Sequence, residues 1–202
     1  MSRLRHFLSH QAGAGAAEFA LILPVAILFL LGLIDVGRYT WAFNQAEKAT
    51  QAGARLAVVS NPVPAGMQNY SFATTGLVPQ GQPVPEGLVP NMVCTSTGQA
   101  VSCTGSASLV GTPDAATFNA IAARMNRIWA RVNARNVEIT YSWAGLGYSG
   151  DPNGSDVQPL ITVRLRNPDG TAFRYPLWFM LGATVPLPDS RYSLTAEDMK
   201  TQ

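Results

Sequence analysis

The feature that most constrains this chain is an apolar run near its N-terminus. Phe19 to Ile34 are sixteen residues, FALILPVAILFLLGLI, without a charged side chain. The small residues from Ala12 to Ala17 precede them, and Glu18 is the one interruption, so the apolar stretch is 23 residues long. A helix needs about 20 mostly apolar residues to cross a bilayer. The run therefore predicts a membrane-spanning helix.

A cleaved secretory signal is the alternative, because a signal core usually has about 7–15 apolar residues. Such a signal ends in a small-x-small cleavage site, whereas the residues after Ile34 read DVGRYTWAF. These charged and aromatic residues favour a retained span. Arg3 and Arg5 precede the apolar run. The positive-inside rule then predicts a cytoplasmic N-terminus and a periplasmic remainder, anchored in the inner membrane.

Composition narrows the possible functions. The net charge of +2 is too small to indicate a nucleic-acid partner. Both histidines, His6 and His10, lie before the apolar run, so the rest of the chain offers no catalytic triad and no histidine-ligated metal. The two cysteines are wrongly spaced for a zinc site. We therefore expect no cofactor, no metal and no enzymatic activity.

Glu18 does not fit an ordinary membrane anchor. A charged side chain at bilayer depth costs roughly 2.5–3.5 kcal/mol on insertion scales, so it is a candidate functional residue. Alternatively, the span begins at Phe19 and Glu18 lies at the interface. Its position relative to Gly13 bears on this choice, because Gly13 lies five residues before Glu18.

The spacing of Gly13 and Glu18 resembles the processing site of type IV pilin-like proteins. In these proteins a membrane aspartyl peptidase cuts after a glycine, and a glutamate lies fifth in the mature chain. The longer pattern Glu18-Phe19-Ala20, Pro24, Asp35 and Gly37-Arg38 resembles the N-terminal motif of TadE-like proteins. These are minor pseudopilins of the tight-adherence (Flp) pilus system, and the resemblance covers roughly residues 13–57.

The resemblance implies a leader at residues 1–13, cleavage by prepilin peptidase and a mature chain that starts at Ala14. It also implies contacts with other pilins or minor pilins and with the pilus assembly platform. Cleavage would leave a cationic amine on Ala14, and the Glu18 carboxylate could pair with that amine in a neighbouring subunit. Opposite charges attract strongly at low dielectric, so the cost of burying Glu18 would be offset in the assembly.

Two further motif positions have physical consequences. Pro24 lacks an N–H and its ring clashes with the carbonyl of Ala20, so it should bend or loosen the helix. Asp35 and Arg38 lie three residues apart and can form an ion pair where the span leaves the bilayer. Both a local surface pair and a partner-binding role remain open for these two residues.

The helix is expected to continue beyond the membrane, over residues 14–60, with its membrane part at about residues 14–36. The small residues of the second half recur at helical spacing: Ala42, Ala46, Ala49, Gly53 and Ala57. Another backbone can approach such a face closely. We favour packing on the protein's own head domain over contact with another subunit.

Residues 61–202 predict an α+β head domain in the periplasm. A proline-rich loop at residues 61–91 precedes an amphipathic helix that starts at Thr112-Pro113-Asp114 and continues to Val132. Arg124, Arg127, Arg131 and Arg135 are expected along its opposite side. We favour a solvated face there, and a site for acidic partners or anionic lipid heads is the alternative. Strands are predicted at residues 137–143, 160–166, 171–175 and 190–196, and together they would form one antiparallel sheet. The apolar residues 177–181 are expected to be core.

Cys94 and Cys103 flank a probable turn at Thr97-Gly98. An oxidising periplasm favours a disulfide between them, as a structural staple. Further along the chain, the oxygen-bearing residues Asp151, Asn153, Ser155 and Asp156 resemble a calcium loop only superficially, because the glycine is misplaced and the final glutamate is missing. We expect a plain turn-rich loop there.

These patterns favour a minor pseudopilin that takes part in assembly or initiation of tight-adherence pili. The alternative is a permanently anchored, single-pass periplasmic binding module or enzyme. Cleavage after Gly13 separates the two hypotheses.

Overall fold

The computed structural model describes residues 14–152, 155–177 and 182–196. The chain divides into two compact units. One unit contains the chain up to Trp41 together with Tyr175–Val185, and the other contains Ala42–Arg174 and the chain from Pro186 onward. A long apolar helix followed by short helices and a small antiparallel sheet confirms the predicted α+β class.

Helix α1 extends from Ala14 to Val59, 46 residues, and its end lies within a residue of the predicted end. It continues through Pro24. Short helices α2 (Gly66–Asn69) and α3 (Ala107–Val110) follow, and α4 spans Ala115–Ile128. Single 3₁₀ turns lie at Glu86–Leu88 and Ala134–Asn136.

A five-stranded antiparallel sheet forms the centre of the second unit, with the strand order β2-β1-β3-β4-β7. Its strands are β1 (Met92–Ser96), β2 (Val101–Thr104), β3 (Val137–Leu146), β4 (Gln158–Leu165) and β7 (Arg191–Thr195). Alternate residues of β4 are buried, as expected for strands that cover a core on one face. Between β4 and β7 in the chain, β5 (Arg174–Pro176) and β6 (Thr184–Pro186) pair with each other in a separate ribbon.

The prediction that residues 171–175 form a strand of the main sheet is therefore wrong. β7 pairs with β4 from Leu160 to Arg164, so that side of β4 is already occupied. Only an isolated bridge joins Arg166 to Ala172, after a turn in which the Gly170 N–H donates to the Asn167 carbonyl. The chain then leaves the sheet and forms the β5–β6 ribbon.

Helix α4 packs on the core through the apolar face that the sequence predicts. Phe118, Ile121, Ala122 and Met125 are buried. The helix is shorter than predicted, because Trp129 adopts an extended conformation and ends it. Its start also differs: Asp114 is the N-cap, and its carboxylate accepts the N–H groups of Ala116 and Thr117.

The proline-rich segment of residues 61–91 covers the second unit, in agreement with the prediction of an irregular loop over the head. Its apolar side chains are buried at Val63, Met67, Phe72, Val78, Val84 and Val89. Its backbone is bonded to the segment between β3 and β4: the Gly81 N–H donates to the Ser149 carbonyl at 2.8 Å, and the Ser149 N–H donates to the Gln82 carbonyl at 2.9 Å. The predicted core segment at residues 177–181 lies mostly outside the described residues.

Candidate functional site

The first half of α1 carries a large exposed apolar surface. Every residue from Gly15 to Leu30 is exposed, and Phe19, Leu21 and Phe29 are 64%, 77% and 66% exposed. Large contiguous apolar patches mark membrane or protein interaction sites. α1 is long and apolar enough to cross a membrane, and a helix pairs most of its backbone groups internally, as a bilayer requires. The surface is therefore suited to membrane anchoring.

Glu18 lies at the start of this surface and is exposed. Ala14 is the first residue of the helix, and Gly13 lies outside the described residues. Residues four apart share one face of a helix, so position 14 and Glu18 lie one above the other. The cleavage site and the pairing of Glu18 with a neighbour's amine stay predictions.

Pro24 is exposed within the same surface, and the helix is continuous on both sides of it. Proline leaves the carbonyl four residues earlier, that of Ala20, without its usual helical N–H donor. The bend predicted at Pro24 stays a prediction.

Asp35 differs from the residues around it. It is only 2% exposed, whereas Leu33, Ile34 and Val36 are exposed. Arg38, one turn further on, is half-buried. Burial of a carboxylate is costly unless it is hydrogen-bonded or paired, which agrees with a specific role for Asp35. Its pairing with Arg38 stays a prediction.

The small residues in the second half of α1 are closed off by the protein's own core. Ala42, Ala46 and Ala49 have no exposed surface, and Gly53 is also buried. A Cβ placed on Gly53 would lie 2.8 Å from Cγ and Sδ of Met125 and 3.2 Å from Cγ1 of Val163. The helix thus approaches α4 and β4 as closely as a glycine allows. Packing on the protein's own head, the favoured alternative, is confirmed.

Cys94 and Cys103 form a disulfide, as predicted. They are directly opposite each other in the β1–β2 hairpin, with their Cα atoms 4.1 Å apart. The turn is closed by the Thr97 N–H, which donates to the Ala100 carbonyl at 3.0 Å. Gly98 has a φ of +91°, a conformation that glycine adopts without a steric penalty.

Comparison with known protein families finds a match that covers most of α1. Residues 13–55 match the family model described as TadE-like protein. The N-terminal segment is therefore similar to TadE-like proteins. This match confirms the predicted resemblance, and it includes Glu18, Pro24 and Asp35 within its range. No curated protein and no solved structure matches the chain.

The loop of residues 151–156 in the head was considered as a calcium site and is expected to be a plain turn-rich loop. Asp156 is buried there, and its two carboxylate oxygens accept the N–H groups of Phe72 at 2.7 Å and Asp151 at 3.1 Å. The Ser155 hydroxyl donates to the Met67 carbonyl at 2.8 Å. Asn153 lies outside the described residues. Over the described part of the chain, no cluster of three His, Cys, Asp or Glu residues could hold a metal. These side chains fasten two loops together.

Two electrostatic features of the head were not predicted. Glu138 on β3 is buried and forms ion pairs with Arg166 and, at 3.8 Å, with Arg164. Asp189 pairs with Arg164 at 2.6 Å and with Arg191 at 3.6 Å. The pairing of β4 with β3 on one side and with β7 on the other brings these residues together, and no local sequence pattern specifies those pairings.

The predicted arginine stripe is also only partly correct. Arg124 and Arg127 lie on α4, but the helix ends at Ile128, so Arg131 and Arg135 lie beyond it. Arg124 and Arg127 instead share a groove with Lys48 and Arg55 of α1.

Proposed function

We propose that this protein is a minor pseudopilin that takes part in assembly or initiation of tight-adherence (Flp) pili. The single observation that carries the proposal is the TadE-like match over residues 13–55, with Glu18 fifth after Gly13. The family indicates involvement in the Tad pilus system. The exposed apolar half of α1 supports membrane anchoring before assembly.

In this proposal the inner membrane holds α1, with the N-terminus in the cytoplasm and the head in the periplasm. Prepilin peptidase removes residues 1–13, and Ala14 becomes the mature N-terminus. The apolar surface from Gly15 to Leu30 then exchanges lipid for the helices of other pilins or minor pilins at the assembly platform. Such an exchange carries little hydrophobic driving force, because lipid tails are as apolar as the side chains.

Polar contacts are therefore needed to make the exchange specific. The Glu18 carboxylate is the ionisable group on the exposed surface from Gly15 to Leu30. Paired with the Ala14 amine of a neighbouring subunit, it would be stabilised at low dielectric only when subunits meet. The role proposed here is structural, with no substrate and no cofactor.

The first experiment tests processing. Intact-mass measurement of the membrane-extracted protein, from cells with and without prepilin peptidase, should show loss of residues 1–13 only when the peptidase is present. Gly13→Val should block the cleavage, because an added branched side chain hinders entry of the backbone into a peptidase cleft. Gly15→Val is the matched control and should be cleaved. An unchanged full-length mass in both strains would favour the permanently anchored module.

The second experiment tests Glu18. Glu18→Gln and Glu18→Ala remove a costly charge from the apolar segment, so the membrane level of the protein should be unchanged or slightly higher. Pilus yield should nevertheless fall, because the amine of a packed neighbour loses its partner. Glu47→Gln, on the same helix but outside the apolar run, is the control. Normal piliation with both Glu18 variants would remove Glu18 from the assembly mechanism.

A further inference from the structure

An open groove of about 760 Å³ lies between the second half of α1 and helix α4. Lys48 and Arg55 line it from α1, and Arg124 and Arg127 line it from α4. All four side chains are exposed. Two helices from distant parts of the sequence thus place four cations around one concave surface.

These four cations are not neutralised by the described part of the chain. No acidic residue lines the groove, and none of the four cations forms an ion pair with a described residue. The strand arginines Arg164, Arg166 and Arg191 behave differently, since each pairs with Glu138 or Asp189. The groove therefore presents an uncompensated positive potential, which attracts an acidic partner and repels a basic one.

The floor of the groove, meaning the rest of its lining apart from Gln51, is apolar, and half of its residues are alanine. These residues are Ala52, Leu56 and Val59 from α1 and Ala120, Ala123 and Ile128 from α4. Small residues allow another helix backbone to approach closely, and a helix in a groove is a recurring mode of recognition. A rod-shaped helix can reach this floor, whereas a flat bilayer surface contacts only the charged rim.

α4 and the second half of α1 of a second copy are poor occupants. α4 contains no acidic residue, and Glu47 is the only one in the second half of α1. Neither helix can therefore present a row of carboxylates to the four cations. We propose that the groove docks an amphipathic helix of a different protein, with a small apolar face and acidic flanks. This inference rests on residues of α4 and of the second half of α1 and does not depend on the pilus role.

The test uses the full-length protein in nanodiscs of zwitterionic lipid and a fluorescent peptide. The peptide has about 20 residues, long enough to form a helix on its own, and consists of alanine with glutamates along both flanks of one alanine face. A second peptide carries glutamine in place of every glutamate. Fluorescence anisotropy measures binding of both peptides at low and high salt.

We expect the glutamate peptide to bind, the glutamine peptide to bind more weakly, and added salt to weaken binding of the glutamate peptide. Arg124→Glu should weaken binding at least about fivefold, because it removes one favourable exposed pair and also adds repulsion between carboxylates. Arg135→Glu, an equally exposed arginine outside the groove, is the matched control and should bind as wild type. Ala123→Trp should also weaken binding, because it fills the floor without changing the charge.

Three results would overturn the proposal. The first is that the glutamate peptide does not bind, or that Arg124→Glu and Arg135→Glu weaken its binding equally. The second is wild-type binding by Ala123→Trp, which would show that charge alone acts and that no helix enters the groove. The third is binding of phosphatidylglycerol vesicles, or self-association in sedimentation, that Arg124→Glu abolishes while peptide binding is unaffected.

Discussion

The contact between α1 and α4 at Gly53 allows a sharp test of how this helix is used. Gly53→Val adds a side chain whose Cβ alone would lie 2.8 Å from Cγ and Sδ of Met125 and 3.2 Å from Val163. Overpacking a filled core costs about 1–3 kcal/mol. Removal of a helical glycine returns at most about 1 kcal/mol. We expect Gly53→Val to destabilise the head by about 1–2 kcal/mol.

The matched variant is Met125→Ala, which deletes the crowded side chain and leaves a cavity. Met125 is fully buried, so this change alone should cost about 2–5 kcal/mol. In the double variant, the valine at position 53 occupies part of the space that Met125 leaves. The two free-energy changes should therefore sum to more than the measured loss, with a coupling of about 1–2 kcal/mol.

Urea unfolding of the full-length protein in detergent, followed by tryptophan fluorescence, measures these free energies. Trp129 reports on this region, since it is 3% exposed and its ring lies 5.3 Å from that of Phe173. Gly37→Val is the control, because a Cβ on Gly37 meets nothing within 4 Å, and it should leave head stability unchanged. Strict additivity of Gly53→Val and Met125→Ala would refute the contact and leave the small-residue face open to another subunit.

Three smaller predictions concern the head. Replacing Cys94 and Cys103 together by alanine should lower the free energy of unfolding by about 2.5–3 kcal/mol on the chain-entropy model. Reductant should lower the melting temperature of the wild type to that of the double alanine variant. The Thr117 N–H, with the Thr117 hydroxyl and the Ala116 N–H, holds the pKa of Asp114 below its ordinary value of 3.8. The stabilisation from this lowered pKa is present above pH 3.8 and is lost as pH falls through the lowered pKa. Asp114→Asn keeps the helix cap but does not titrate. In this variant the free energy of unfolding should therefore fall less between neutral and acidic pH than in the wild type. The hydroxyl of the buried Tyr141 accepts the Val63 N–H at 3.0 Å, and burial raises the pKa of that hydroxyl. Tyr141→Phe leaves the Val63 N–H buried without an acceptor, so it should lower the free energy of unfolding in urea by about 1–3 kcal/mol. A loss below about 0.5 kcal/mol would show that this hydrogen bond does not stabilise the head.

Local and periodic patterns were sufficient to predict the two long helices, α1 and α4, but not the short helices α2 and α3 or the exact ends of α4. The charge-free run after Glu18 and the absence of proline after Arg38 specify one continuous helix from Ala14 to Val59. The 3.6-residue period of the apolar side chains specifies the buried face of α4. These signals are encoded within one helix, so no tertiary knowledge is needed to find them.

Contacts between distant segments were not predictable in the same way. The β1–β2 hairpin was missed, although the alternation of Met92, Cys94 and Ser96 and the cysteine pair were available signals. The groove between α1 and α4, here called the basic groove, places Lys48 and Arg55 beside Arg124 and Arg127, about 70 positions later in the chain. A sequence shows these cations only as scattered single charges, and the packing at Gly53 is what brings the two helices together.

Helix α1 combines two kinds of apolar surface that have different uses. From Gly15 to Leu30 it presents large side chains that are exposed, whereas Ala42, Ala46 and Ala49 are small and completely buried by the protein itself. Water is an unfavourable environment for the first surface, so it needs lipid or other helices. The second surface is already filled and has no room for a subunit. An assembly role must therefore depend on the first surface, with Glu18, and on partners that the head recruits by other means. The basic groove lies between α1 and α4, and it is a surface that such a partner could use.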